Sequence, residues 1–523
     1  MPERSRTEHS VINLLTSLGG YALNVVLSFF CRIIFARLLG KEYLGISSMF
    51  SNILSLLSLT ELGIGTAMIY ELYKPVAEKN EKKIASYMKA YRTAYIAVGI
   101  IVFLLGLAVM PFLNVIIKEK PNINENLYVL YLLFLLSTSS SYFFSYKCSI
   151  ITANQRNYII VGINYAVVIV QDIFQIVALV LTKNFLLYLI LQVIFVFINN
   201  VIISKKADHD YPYIKAKGAP PLLKEEKRNL LKNIKALTVT KLSGILVNNT
   251  DNIVITYFNG LIQTGIASNY SLLVTTLTSL VNQIFTSLSA SLGNLNAVGD
   301  EEHKYRVFKA LNLANFWIYG WASIGIVVVS SDIVELCYGA DYVLDFKIPL
   351  ILAVNFYMLG MQCVVGLYKS TMGLFRYGQY VLFLTAIINL IGDYFLGKYL
   401  GLFGIFLATA IARAVTNTWY EPFVVFKHGF KRKISGYVLR YFIYLLILVL
   451  TCSVCWFICS FINLSLVPRL ILKLLVCNVV PNVSFLIFFF KLPEFGFLKN
   501  TALSLVSKIS KRVLKREKEE IEQ

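Results

Sequence analysis

The sequence predicts an all-α polytopic membrane protein of about fourteen transmembrane helices, arranged as two parallel six-helix lobes with two extra C-terminal helices. Three observations predict it. The 523 residues are 57% hydrophobic and only 15% charged, and mean hydropathy is +0.67, outside the range of a soluble globule or a disordered chain. Apolar runs near twenty residues recur from end to end. The chain also partly matches itself when shifted by 220 residues.

The apolar runs fall at 11–38, 43–70, 90–117, 127–150, 158–181, 185–203, 236–258, 265–292, 307–330, 348–373, 378–397, 401–426, 438–462 and 467–490. At 1.5 Å per residue each can cross a hydrocarbon core of about 30 Å. Helices are required, because an open strand leaves backbone groups unpaired in lipid and the alternation of a barrel is missing. The first run is too long for a secretory signal and lacks a small-residue cleavage site, so it is expected to stay as an anchor.

Charge orients the spans. With the N-terminus cytoplasmic, and with residues at span ends counted with their loops, Lys and Arg number 36 in inner segments and 8 in outer loops. The expected outer loop 331–347 carries Asp332, Glu335, Asp341 and Asp345 against Lys347. This is the positive-inside pattern with both termini cytoplasmic. The net charge of +20 is then a collar facing anionic membrane lipids, and nucleic-acid binding is not expected. The organisation reads as an N-lobe over 1–203, a basic cytoplasmic linker over 204–235, a C-lobe over 236–427, extra spans over 428–490 and a basic tail over 491–523. Linker and tail are too short to fold as catalytic domains, so chemistry or transport belongs to the helix bundle. No enzyme activity is expected.

The repeat supports the two lobes. Fifteen identities run without a gap from 33 to 94, among them Ile33, Gly40, Gly45, Ile46 and Ser48 with Ile253, Gly260, Gly265, Ile266 and Ser268. Glu81 and Lys89 meet Glu301 and Lys309. Six spans separate the copies, so both halves share one orientation, an arrangement found in transporters.

Ionisable groups in spans cost ~2.5–3.5 kcal/mol each on insertion scales and should face a cavity or a partner. They are Arg32, Glu61, Asp172, Lys241, Asp251, Arg413 and Lys473, with Arg92 and Asp393 nearer span ends. Arg32 and Asp251 occupy nearly the same place in the two repeats and suit either a gate pair or fixed structural roles. Arg413 suits an anionic ligand or neutralisation of Asp172 or Asp393. Glu61 suits a titrating site or an ion pair. Lys473 is expected to snorkel outward. Cys452, Cys455 and Cys459 have a spacing reminiscent of a metal site, but they lie in an apolar helix without charged partners, so no metal or other cofactor is expected. No P-loop occurs, so no ATPase is fused here.

Several segments resemble the Wzx-type flippases of polysaccharide repeat units, in the multidrug/oligosaccharidyl-lipid/polysaccharide exporter (MOP) superfamily. They are Arg32-Ile-Ile-Phe-Ala-Arg37-Leu-Leu-Gly40, the Glu61-Leu-Gly63-Ile-Gly65 stretch through Tyr70 to Pro75, and Asn249-Thr250-Asp251-Asn252-Ile253 followed by Gly260 and Gly265. The resemblance implies two lobes forming a V, with a cavity between spans 1, 2, 7 and 8. It implies movement of an undecaprenyl-diphosphate-linked oligosaccharide between leaflets of the bacterial cytoplasmic membrane, for capsule or exopolysaccharide synthesis. Glycosyltransferases and a polymerase of the same pathway are implied partners. Arg32 is the leading candidate for the diphosphate, with Arg37 at its outer mouth and Arg413 weaker. Asp251, Glu61 and Asp172 are candidate coupling or gate residues, driven by the membrane potential or an ion gradient. A cation-coupled multidrug exporter of the same fold and a lipid II flippase are the alternatives.

Overall fold

The computed structural model describes residues 6–58, 64–118, 121–215, 220–222, 224–226, 228, 250–374, 377–501 and 503. Glu61 and Lys241 lie outside these residues, as do much of the linker and most of the tail. Among the described residues all regular structure is helical. The principal helices are α1 (Arg6–Leu39), α2 (Lys41–Leu57), α3 (Ile64–Ala77), α4 (Glu81–Val109), α5 (Leu127–Ser145), α6 (Cys148–Ala153), α7 (Asn157–Thr182) and α8 (Phe185–Asp210). There follow α9 (Asp251–Ser287), α10 (Ser289–Val298), α11 (Glu301–Tyr338), α12 (Lys347–Thr371), α13 (Gln379–Val415), α14 (Asn417–Val424), α15 (Ser435–Ser460) and α16 (Leu466–Phe489). Nine helices among the described residues are long and apolar enough to cross a membrane. The chain is an all-α, multi-pass membrane protein.

Helix ends carry the repeat into three dimensions. Gly40 (φ 93°, ψ −173°) separates α1 from α2, and Gly260 (φ 82°, ψ 170°) bends α9 at the equivalent position. Both need the positive φ that glycine adopts without steric cost. Asn80 caps α4 by accepting from the Lys83 backbone N–H, and Asp300 caps α11 by accepting from that of His303. Both capping residues and both donors are 220 positions apart. Each cap satisfies one backbone donor left open by the first helical turn.

The chain divides into two compact units. The first comprises residues 1–268 and 389–405, the second 269–388 and 406–523. In the first, α3, α4 and α6 enclose Met68, Leu72, Tyr91, Tyr95 and Ile150. The buried Tyr91 hydroxyl donates to the Met68 carbonyl at 3.0 Å, and that of Tyr131 to the Gly106 carbonyl at 3.0 Å. A hydroxyl away from water is costly unless bonded in this way.

In the second unit α11 packs against α12, α15 and α16. Its aromatic core stacks Phe316 on Tyr444 with ring centroids 4.4 Å apart and gathers Phe308, Phe426, Phe430 and Tyr437. Charge ties the last helix to this core. Asp332 receives Lys473 Nζ at 2.6 Å and Arg469 Nε at 2.8 Å, while Arg469 Nη2 reaches Glu335 at 2.6 Å. Two expectations are corrected here. Lys473 does not snorkel to the surface, because an acid on the neighbouring helix neutralises it where water is scarce. Asp332 and Glu335 lie in the closing turns of α11, not in a loop.

Beyond α16, the Glu494 carboxylate is 3% exposed and pairs with Arg440 at 2.9 Å and Lys309 at 3.4 Å. Burial by itself would push this carboxyl up. Backbone hydrogen bonding and the two cations outweigh burial and hold it below the ordinary glutamate range.

Candidate functional site

The first unit gathers two polar centres at membrane depth. One is acidic. Helix α9 starts at Asp251, where an anion suits the positive end of the helix dipole. Asp393 lies on the limb of α13 before its bend at Gly401 and is fully buried. Asn389 precedes it by four residues, so both side chains share one helix face. The Asn389 amide donates to Asp393 Oδ1 at 3.1 Å. Asp393 Oδ2 is buried without a hydrogen-bond partner among the described residues, and Asp251 is close enough for the two carboxyls to interact electrostatically. Two neighbouring carboxylates in low dielectric repel unless they share a proton or hold a cation between them. Such a pair has the chemistry to take up a proton or a cation.

The other centre surrounds Arg32. This half-buried side chain donates from Nη2 to Ser268 Oγ at 2.6 Å, and the Ser268 hydroxyl donates to the Gly265 carbonyl at 2.7 Å. Because that hydroxyl has already given its proton to the carbonyl, its lone pairs face the guanidinium. Next to Arg32, Cys31 neighbours Tyr188, and Tyr188 interacts electrostatically with both Arg32 and Asp172. Asp172 is buried on α7, and its Oδ2 has no hydrogen-bond partner among the described residues. Gln175, one turn further on, donates to the Tyr188 carbonyl at 3.1 Å. A cation and an acid thus flank one tyrosine.

The remaining candidates lie elsewhere. Arg37 is exposed in the last turn of α1, where the dipole favours a cation. Arg413 belongs to the second unit, is buried, and donates from Nη1 to the Asn355 carbonyl at 3.2 Å. Asn355 in turn donates to the Phe406 carbonyl at 2.8 Å, so this chain of bonds joins α12 to α13. Glu61 is outside the described residues. Sequence reasoning placed Asp393 near a span end and passed over Asn389, Ser268 and Tyr188. An amide four residues before an acid within an apolar run was the available signal for the first pair. Nothing local marks Ser268 or Tyr188, whose roles depend on tertiary neighbours.

The sequence matches no family model and no curated protein. Solved structures do match. The lipid II flippase MurJ, in an inward closed conformation, aligns with 91% of this chain and 99% of its own, with TM-score 0.66 and 17% identity. An inward-facing multidrug resistance MATE family transporter of the MOP superfamily aligns with 79% of this chain and 95% of its own, with TM-score 0.59 and 11% identity. The Vibrio cholerae MATE transporter VcmN aligns with 81% and 98%, with TM-score 0.53 and 12% identity. The chain therefore has the fold of the flippases and exporters of the MOP superfamily. Within that fold it is similar to MurJ over nearly its whole length.

Proposed function

We propose that this protein flips undecaprenyl-diphosphate-linked oligosaccharide repeat units from the inner to the outer leaflet of the bacterial cytoplasmic membrane, by alternating access, for surface polysaccharide synthesis. The observation that carries the reading is the extent of the fold match. A flippase structure covers 91% of this chain, whereas the multidrug transporters reach about 80%. The larger helix set suits a cargo whose lipid tail stays in the bilayer while its headgroup crosses. Arg32 contributes the cation for the diphosphate, since a guanidinium matches phosphate oxygens with a fork of donors. Asp251 and Asp393 exchange the driving proton or cation, with Asp172 a further acid near Tyr188. Both termini face the cytoplasm.

The test is lipid analysis of a strain lacking the gene, by mass spectrometry and by probing which membrane face exposes the product. A complete diphosphate-linked repeat unit accumulating on the inner face is expected. Accumulating lipid II would move the cargo to peptidoglycan precursor. Normal glycan lipids with reduced drug tolerance would replace the reading by a multidrug exporter. Arg32→Ala should lose export by at least ~10-fold, the scale of one charge-assisted hydrogen bond of ~1.5–3 kcal/mol, while still inserting in the membrane.

A further inference from the structure

The repeated glycines do more than turn the chain. A Cβ added at Gly45 would lie 2.1 Å from the Leu261 carbonyl oxygen, and one added at Gly265 would lie 2.3 Å from the Lys41 carbonyl oxygen and 2.9 Å from the Gly45 nitrogen. Gly45 and Gly265 are equivalent in the repeat, and so are Lys41 and Leu261. The two contacts are therefore one contact seen twice about a local pseudo-twofold axis. It is backbone against backbone, with no flexible side chain that can give way.

Two further links cross the same seam. Arg32 bonds Ser268, three residues past Gly265, at 2.6 Å. Lys118 Nζ sits 3.7 Å from the centroid of the Tyr257 ring and 5.7 Å from that of Phe258, just before Gly260. On α2, Tyr43 donates to Glu125 at 2.6 Å and the Asn122 backbone N–H donates to the Glu42 carboxylate. Lys118, Asn122 and Glu125 thus reach both arms of the glycine contact, α9 through a cation–π interaction and α2 through hydrogen bonds.

We propose that the Gly40–Gly45 and Gly260–Gly265 segments form a reciprocal latch strapped by Lys118, Asn122 and Glu125, and that this latch opens and closes as a unit during the transport cycle. What it opens for rests on the transport reading above. That it opens does not depend on the cargo. Glycine at both positions permits a closure that any side chain blocks. Arg32 then has two uses, since an anionic group that draws its guanidinium from Ser268 also removes a link across the seam.

Leu44 is the reporter. It is 1% exposed, and its Cβ would be 3.2 Å from a Cβ on Gly265, so parting the latch uncovers the face it turns to Gly265. Leu44→Cys is labelled in intact cells with a membrane-impermeant maleimide, the parent lacking Leu44→Cys setting the background. Adding Gly265→Ala should raise labelling roughly tenfold, a shift of ~1.4 kcal/mol between closed and open forms. Adding Lys118→Ala, at an exposed side chain, should raise it severalfold. Adding Gly162→Ala, where a Cβ meets nothing within 4 Å, should change nothing. Labelling that stays at the Leu44→Cys level in both variants, at wild-type abundance, overturns the latch. If Gly265→Ala fails to accumulate, Lys118→Ala decides alone. Normal glycan lipids in the deletion strain would remove the flippase reading and leave a positive labelling result standing.

Discussion

Replacing Asp393 with asparagine tests the acidic centre through the sign of its effect. The exchange is nearly isosteric, and the amide oxygen can still accept from Asn389, as Asp393 Oδ1 does at 3.1 Å. What changes is the charge beside Asp251. Two neighbouring unit charges at an effective dielectric near 20 repel by roughly a few kcal/mol. With both carboxyls ionised and nothing bound, Asp393→Asn should therefore melt higher than the parent. A cation or proton held by the pair removes that repulsion in the parent, and saturation at about one hundred times the dissociation constant adds about 2.7 kcal/mol. The purified full chain would be melted in detergent across series of Na⁺, Li⁺, K⁺ and pH, with choline keeping ionic strength constant. The parent should gain stability along one of these series and overtake or match the variant, while Asp393→Asn and Asp251→Asn stay flat. A variant that melts lower than the parent in choline and keeps the same ion or pH response would refute the reasoning. The exchange would then have damaged packing, and the driving ion would bind elsewhere.

Other consequences are smaller in scope. Asp332→Asn leaves Lys473 and Arg469 facing a neutral partner and should lower stability by about 2 kcal/mol, less than the ~3–5 kcal/mol of a fully buried pair because both cations retain some solvent contact. Denaturant titration of the purified chain reads it. Arg413→Ala should cost roughly 1–3 kcal/mol through its bond to Asn355, so lost export should come with lost folded protein. Lost export at full stability would instead restore Arg413 as a cargo ligand. Glu494 is held below its unfolded value, so its contribution is fully present above the ordinary glutamate range and disappears as pH falls through the folded value. Glu494→Gln should therefore flatten the acid limb of a stability profile and lower stability at neutral pH.

The membrane fold was legible because lipid imposes few solutions. Long apolar runs must be helices there, and a glycine between them must turn where the run breaks, as at Gly40 and Gly260. Even the caps Asn80 and Asp300 are visible, being short polar residues just before helices in the same register. The ion pairs were less legible. Lys473 on its own reads as a side chain bound for the interface, and its acid is 141 residues away on another helix. The same holds for Arg32, whose hydroxyl partner Ser268 looks like one of many serines. An ionisable residue in a span announces that a partner exists, but periodicity does not name it.

The polar centres also show how the two copies of the repeat have diverged. Asp251 falls opposite Cys31 in the repeat register, and Ser268 falls opposite Ser48. The backbone features on which closure depends are kept in both copies: the positive-φ glycines, the paired carbonyl contacts of Gly45 and Gly265, and the helix caps. The charges are not kept. One copy carries the cation Arg32 with a thiol before it, and the other carries an acid where that thiol stood. A symmetric hinge with asymmetric chemistry is what a coupled transporter needs. The hinge must move both halves alike, while an anionic headgroup and a driving cation must be met by opposite charges. Exchanging the charge at Arg32 should disturb cargo movement without altering ion-dependent stability. Exchanging it at Asp393 should remove the ion-dependent stability and, with it, driven cargo movement.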